Sequence, residues 1–183
     1  MNHPFMAAVS DGLAERNIAT LRYQFPFMER GSKRPDSPSV ARATVRAAVA
    51  TASSLMPDVA LFAGGKSFGG RMTSQAQAES ALPEVRGVIF FGFPLHPAKK
   101  PSQQRAEHLS RIGCPMLFLQ GTRDELADVA LIRAVTEGLG ELATLQLFDD
   151  ADHSFHVRAR SGHTDKQVLD SMLDALAAWI AAR

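Results

Sequence analysis

Cysteine is nearly absent from this chain of 183 residues: Cys114 stands alone, so no internal disulfide can form and a disulfide-stapled scaffold is excluded. A lone cysteine fits a reducing compartment. Long apolar runs are missing as well. The first apolar stretch, Phe5 to Val9, is too short and lacks the basic flank of a signal peptide, and no run approaches the roughly 18 residues of a membrane span. Nor is there an excess of charge. Twenty Lys+Arg against 19 Asp+Glu leave +1, which gives no electrostatic footprint for nucleic acid or anionic membrane. Ligand clusters of metal-site spacing are absent too: Asp149, Asp150 and Asp152 beside His153 are neighbours in one loop, and such residues seldom converge on an ion. The expectation is a soluble, cytoplasmic protein with no metal or other cofactor and neither nucleic acid nor membrane as partner. Its oligomeric state stays open.

What is present is ordinary for a globular protein: 45% hydrophobic and 21% charged residues, in a length that suits one domain over residues 1–183. Apolar residues recur every four positions in Phe5, Val9 and Leu13, after Pro4 and before Asn17, and predict a helix over Pro4 to Asn17. Ile18 to Tyr23 reads as a short strand, and Phe25 to Ser37 as a loop. Ser37 before Pro38 opens a helix that runs to about Leu55. Thereafter strands and helices alternate. The strands are Val59–Ala63, Val88–Phe91, Met116–Gln120 and Ala143–Phe148. The helices are Ser67–Ser80, Gln104–Arg111, Leu126–Glu137 and a final one opened by a capping box of Thr164 and Gln167. Apolar strands separated by helices imply a parallel sheet covered on both faces. The predicted fold is α/β, a three-layer sandwich whose mostly parallel sheet has about five strands.

One strand-to-helix turn stands apart. Gly64-Gly65-Lys66-Ser67-Phe68-Gly69-Gly70 contains G-x-S-x-G as Gly65, Ser67 and Gly69. Gly65-Lys66-Ser67 also matches the end of a phosphate-binding loop, but that motif needs glycine where Ala60 stands, inside an apolar strand. The bland alternative is a tight turn beside a surface serine.

The heptapeptide resembles the nucleophile elbow of the α/β-hydrolase superfamily, in which a strained serine is pushed out of the fold at a helix N-terminus. The resemblance implies a triad in the order serine, acid, histidine, each on a loop after a strand. Asp124 follows the Met116–Gln120 strand and fits the acid; His153 follows Ala143–Phe148 and fits the base. The alternative role for Asp124 is to cap the next helix, with Asp128 a weaker substitute for the acid, and His156 is close enough to His153 to be confused with it. The nearest resemblance is to small lidless hydrolases near the dienelactone hydrolase branch, whose name-giving member uses cysteine where Ser67 stands. It implies a serine hydrolase acting on a small acyl substrate, an ester, thioester or lactone. Ser67 would be the nucleophile, the Phe68 N–H an oxyanion donor, and Phe93, Leu95 and His96 the residues bordering the substrate. Arg71, Lys99, Lys100 and Arg123 raise the further possibility of an anionic substrate. A hydrolase-shaped binding or scaffold protein is the rival reading.

Only about a dozen residues, Phe93 to Gln104, stand where many relatives insert a lid, so an open site is expected. Relatives also place a strand and a glycine-rich loop ahead of the helix that here spans Pro4 to Asn17. The expectation is therefore an α/β-hydrolase fold lacking its first strands. Either Met1 is a misplaced start, or Ile18–Tyr23 shifts sideways to pair with Val59–Ala63.

Overall fold

In the computed structural model, which describes residues 3–183, four apolar segments pair side by side in chain order. They are β1 (Leu61–Lys66), β2 (Val85–Phe91), β3 (Met116–Gly121) and β4 (Ala143–Phe148), and every pairing is parallel. Before β1 come the helices α1 (Pro4–Ala14), α2 (Pro26–Glu29) and α3 (Pro38–Leu55); of the crossovers that parallel neighbours require, α4 (Phe68–Glu79) carries the one from β1 to β2 and α5 (Val129–Gly138) the one from β3 to β4, and α6 (Asp165–Ala181) follows β4. Residues 104–111 form a 3₁₀ helix.

The two faces of the central strands feed different cores. Ile89 and Phe91 of β2, with Leu117 and Leu119 of β3, pack beneath α1 and α6 against Val9, Leu13, Met172 and Trp179. Their neighbours Val88, Phe90, Met116 and Phe118 point the other way, toward Leu109 and the α5 residue Ile132. Alongside that second layer, α3 and α4 bury Val45, Val49, Met72 and Ala76 against Ala63 of β1. The sheet is thus the middle of three layers, as its apolar runs require.

Capping sets the helix starts. Ser37 Oγ accepts from Val40 N at α3, and Thr164 and Gln167 form the expected capping box at α6. Asp128, not Asp124, caps α5: its Oδ1 accepts from Leu131 N at 3.0 Å, so that helix begins at Val129 rather than near Leu126. Asn17 adopts the left-handed conformation at φ 59°, three residues beyond the end of α1.

Two expectations fail together. Ile18–Tyr23 holds neither helix nor strand, so the sheet has four strands rather than five, and the segment does not shift sideways to pair with β1. An apolar groove of about 710 Å³ explains why. Ile18–Tyr23 lines one side of it and Leu61–Gly65 another, with Val45 and Val49 of α3 and Leu13 of α1 between them. The segment faces β1 across the groove and pairs with no strand. Between β2 and the 3₁₀ helix, residues 92–103 hold neither helix nor strand, so no helical lid rises there. Among the described residues no helix is long and apolar enough to cross a membrane.

Candidate active site

All four strands end on the same side of the sheet, and the loops that leave them there carry the polar residues of interest. Ser67 stands between β1 and α4 with φ 50° and ψ −113°. A non-glycine residue in that region carries strain on the order of 1–3 kcal/mol, and Ser67 is held there by close strand-to-helix packing. A Cβ on Gly65 would lie 3.0 Å from the backbone of Gly69 and Gly70, and one on Gly70 only 2.6 Å from the Gly65 carbonyl oxygen. Gly69, the second glycine of the motif, would meet nothing nearer than Phe25 at 3.8 Å. The close approach thus depends on Gly65 and Gly70. Ser67 N donates to Phe91 O at 3.1 Å, which ties the turn to the end of β2. Phe68 opens α4, its N–H without a hydrogen-bond partner and its ring packed edge-on against Phe25 and Phe27.

Asp124 and His153 meet across two neighbouring loops. Asp124 Oδ2 accepts from His153 Nδ1 at 2.7 Å, with the carboxylate fully buried and the imidazole a quarter exposed. The same Oδ2 accepts from Gln120 Nε2 at 2.5 Å, and Oδ1 accepts from Leu126 N at 2.8 Å. Gln120 is itself held by Phe93 N, which donates to its Oε1 at 2.9 Å. With Nδ1 donating to the carboxylate, the neutral ring has Nε2 as its free acceptor. His153 rides on a tight turn in which Asp152 Oδ1 accepts from Ser154 N and His156 N, closed by a bridge between Ala151 and Val157. Gly92, at φ +69°, lies against the pair: a Cβ there would be 3.4 Å from His153 Nδ1 and 3.5 Å from Asp124 Oδ2. No hydrogen bond joins Ser67 Oγ to the imidazole.

The loop after β2 departs from expectation. Phe93, Leu95 and His96 are all buried. Phe93 packs on Phe90 and Phe118, and Leu95 lies in the same core. His96 spends both ring nitrogens on the main chain, Nδ1 donating to Pro97 O and Nε2 accepting from Asp128 N, each at 2.9 Å. These three side chains brace the loop and offer no free polar atom to a substrate. His156 is exposed and bonded to Asp165 at 2.7 Å, away from Asp124. Arg123 is committed to Asp150, donating from Nη1 to its carbonyl at 2.9 Å. Arg71, one turn into α4, has a buried Nε without a partner. No group of three or more metal-binding side chains gathers among the described residues.

The motif left Gln120, Gly92 and the surroundings of Lys66 unsuspected. Lys66 Nζ donates to His153 O at 2.5 Å and lies against the rings of Phe5 and Phe155. Only the fact that Gln120 ends an otherwise apolar strand, four positions before Asp124, could have marked it.

Solved structures share this architecture. A serine hydrolase homologue from Coxiella burnetii is 18% identical, with a TM-score of 0.75 over 96% of this chain and 77% of its own. A serine hydrolase without a lid from Xanthomonas campestris is 22% identical, with a TM-score of 0.74 over 98% and 75%. The esterase domain of a Rhodothermus marinus protein is 17% identical, with a TM-score of 0.68 over 96% and 79%. At these identities the likeness is one of fold. A family model described as an alpha/beta hydrolase domain matches residues 1–181, and the chain therefore belongs to the α/β-hydrolase family.

Proposed function

We propose that this protein is a serine hydrolase of small carboxylic esters, thioesters or lactones, with Ser67, His153 and Asp124 as its triad. The observation that carries the reading is the 2.7 Å bond from His153 Nδ1 to a fully buried Asp124 carboxylate, beside a strained serine at a helix N-terminus. A buried carboxylate with three donors is poised to fix the imidazole tautomer and to stabilise the imidazolium. His153 Nε2 takes the proton of Ser67 as Oγ attacks the acyl carbon, then returns it to the departing alcohol, thiol or ring oxygen. Water repeats the sequence on the acyl-enzyme and releases the acid. The Phe68 N–H and the positive end of α4 face the oxyanion that develops.

The rival is a hydrolase-fold binding protein without turnover, and what favours it is the missing bond between Ser67 Oγ and the imidazole. Such bonds are often loose before substrate binds, so chemistry must decide. A fluorophosphonate probe is expected to label the protein, and Ser67→Ala to abolish both the label and the hydrolysis of a small soluble ester. A folded wild type that neither takes the label nor turns over ester would make the binding protein the better description.

A further inference from the structure

Lys66 is the residue that the triad leaves unexplained. It ends β1 immediately before Ser67, yet its side chain is drawn inward. The Nζ lies 4.8 Å from the centre of the Phe5 ring and 5.1 Å from that of Phe155. The two rings stack with centroids 5.5 Å apart. At the tip of this sleeve the ammonium donates to the backbone carbonyl of His153 at 2.5 Å. A cation in such a place loses hydration, and packing alone does not call for it, because a methionine would fill the same space against the rings. What the lysine adds is its charge and its hydrogen bond.

We propose that Lys66 is a positioning residue for the base: its ammonium, lying against the stacked rings of Phe5 and Phe155, fixes the main chain of His153 relative to the nucleophile one residue away. The proposal rests on the triad reading above. His153 sits on a turn whose other ties are local or run to the loop after β3, through Asp152 Oδ1 and Arg123 N. The Lys66 bond spans 87 positions and joins that turn directly to the strand bearing the serine. A charge-assisted bond is roughly twice as strong as a neutral one, and a misplacement of about 1 Å between reacting groups can lower a rate about a hundredfold.

The charged groups that face the ammonium are Asp124 from the turn after β3 and Asp152 from the loop after β4, with the titratable His153 beside it; α1 presents the Phe5 ring. Burial lowers the Lys66 pKa to about 8 in spite of the two carboxylates. As pH rises through about 8 the ammonium loses its proton, and the carbonyl bond loses its charge assistance. The wild-type kcat is therefore expected to fall as pH rises above about 8.

The test compares kcat, KM and pH profiles for a small ester in the wild type, Lys66→Met, Lys66→Arg and Ser67→Ala. Lys66→Met should keep KM, lose on the order of ten- to a hundredfold in kcat and lose the alkaline limb. Lys66→Arg, which carries a cation that does not titrate in this range, should retain most of the activity without the limb. If Lys66→Met fails to fold, the Lys66→Arg profile decides alone, and an alkaline limb that persists there overturns the proposal. So does wild-type kcat in a folded Lys66→Met. Ser67→Ala separates the two failures: a silent Ser67→Ala beside unaffected Lys66 variants removes only the role of Lys66, whereas a fully active Ser67→Ala removes the triad and that role together.

Discussion

His153 and His156 sit three positions apart on one loop and meet different acids. His153 bonds to the buried Asp124, whereas His156 bonds at the surface to Asp165 beside the N-terminus of α6, and that bond raises the His156 pKa. Replacing His153 by alanine should lower kcat on the order of a thousandfold or more, while His156→Ala should leave it near wild type; a dead His156→Ala would reverse the assignment of the base. Gly92 gives a second test. Its left-handed backbone makes Gly92→Ala cost about 1–2 kcal/mol, while the added methyl would meet His153 and Asp124 at ordinary van der Waals distance. Urea denaturation should show that loss; an alanine variant as stable as the wild type would contradict it. At this scale the sequence exposed Ser67, Asp124 and His153 because each leaves the end of an apolar strand. It hid Phe5, Lys66 and Phe155, whose association depends on contacts between distant parts of the chain. Phe93, Leu95 and His96 misled for the opposite reason, since a loop beside a site can point its side chains into the core.

Between α4 and the 3₁₀ helix at residues 104–111, the buried His108 bonds through Nε2 to Ser74 Oγ at 2.7 Å. Burial lowers its pKa to about 4, with Arg111 and Arg71 adding repulsion. The unfolded chain, with an ordinary histidine near 6.5, therefore binds more protons between pH 6.5 and 4, and stability falls as pH drops through that window. The loss is up to about 3 kcal/mol and ends below pH 4, where both states are protonated. Melting temperatures should show a shallower acid slope in His108→Gln than in the wild type; matching slopes would mean that other groups drive the change. Element types and most boundaries were legible from periodicity and caps, as the α6 capping box illustrates. Ile18–Tyr23 was not: its composition suits a strand, but a strand needs a partner within ladder distance, and β1 lies across the groove. Asp128 took the cap that Asp124 might have filled, which freed Asp124 to meet His153.

The whole molecule joins its early and late segments beneath the sheet. Val9 and Leu13 of α1 pack with Met172 and Leu173 of α6 in one core, and Arg16 Nε donates to Asp174 at 2.8 Å across a separation of 158 positions. The opposite layer over β1 is built from closer segments, with α3 and α4 flanking the strand they cover. During synthesis at about 5–20 residues per second, α1 therefore waits roughly 8 to 30 s for its partner helix to be made. Once β2 and β3 have been made, their underside has only one of its two helices to cover it until α6 follows. Over about the last third of its synthesis the nascent chain thus holds Ile89, Phe91, Leu117 and Leu119 incompletely shielded, which is the period in which a ribosome-associated chaperone would find the most to hold.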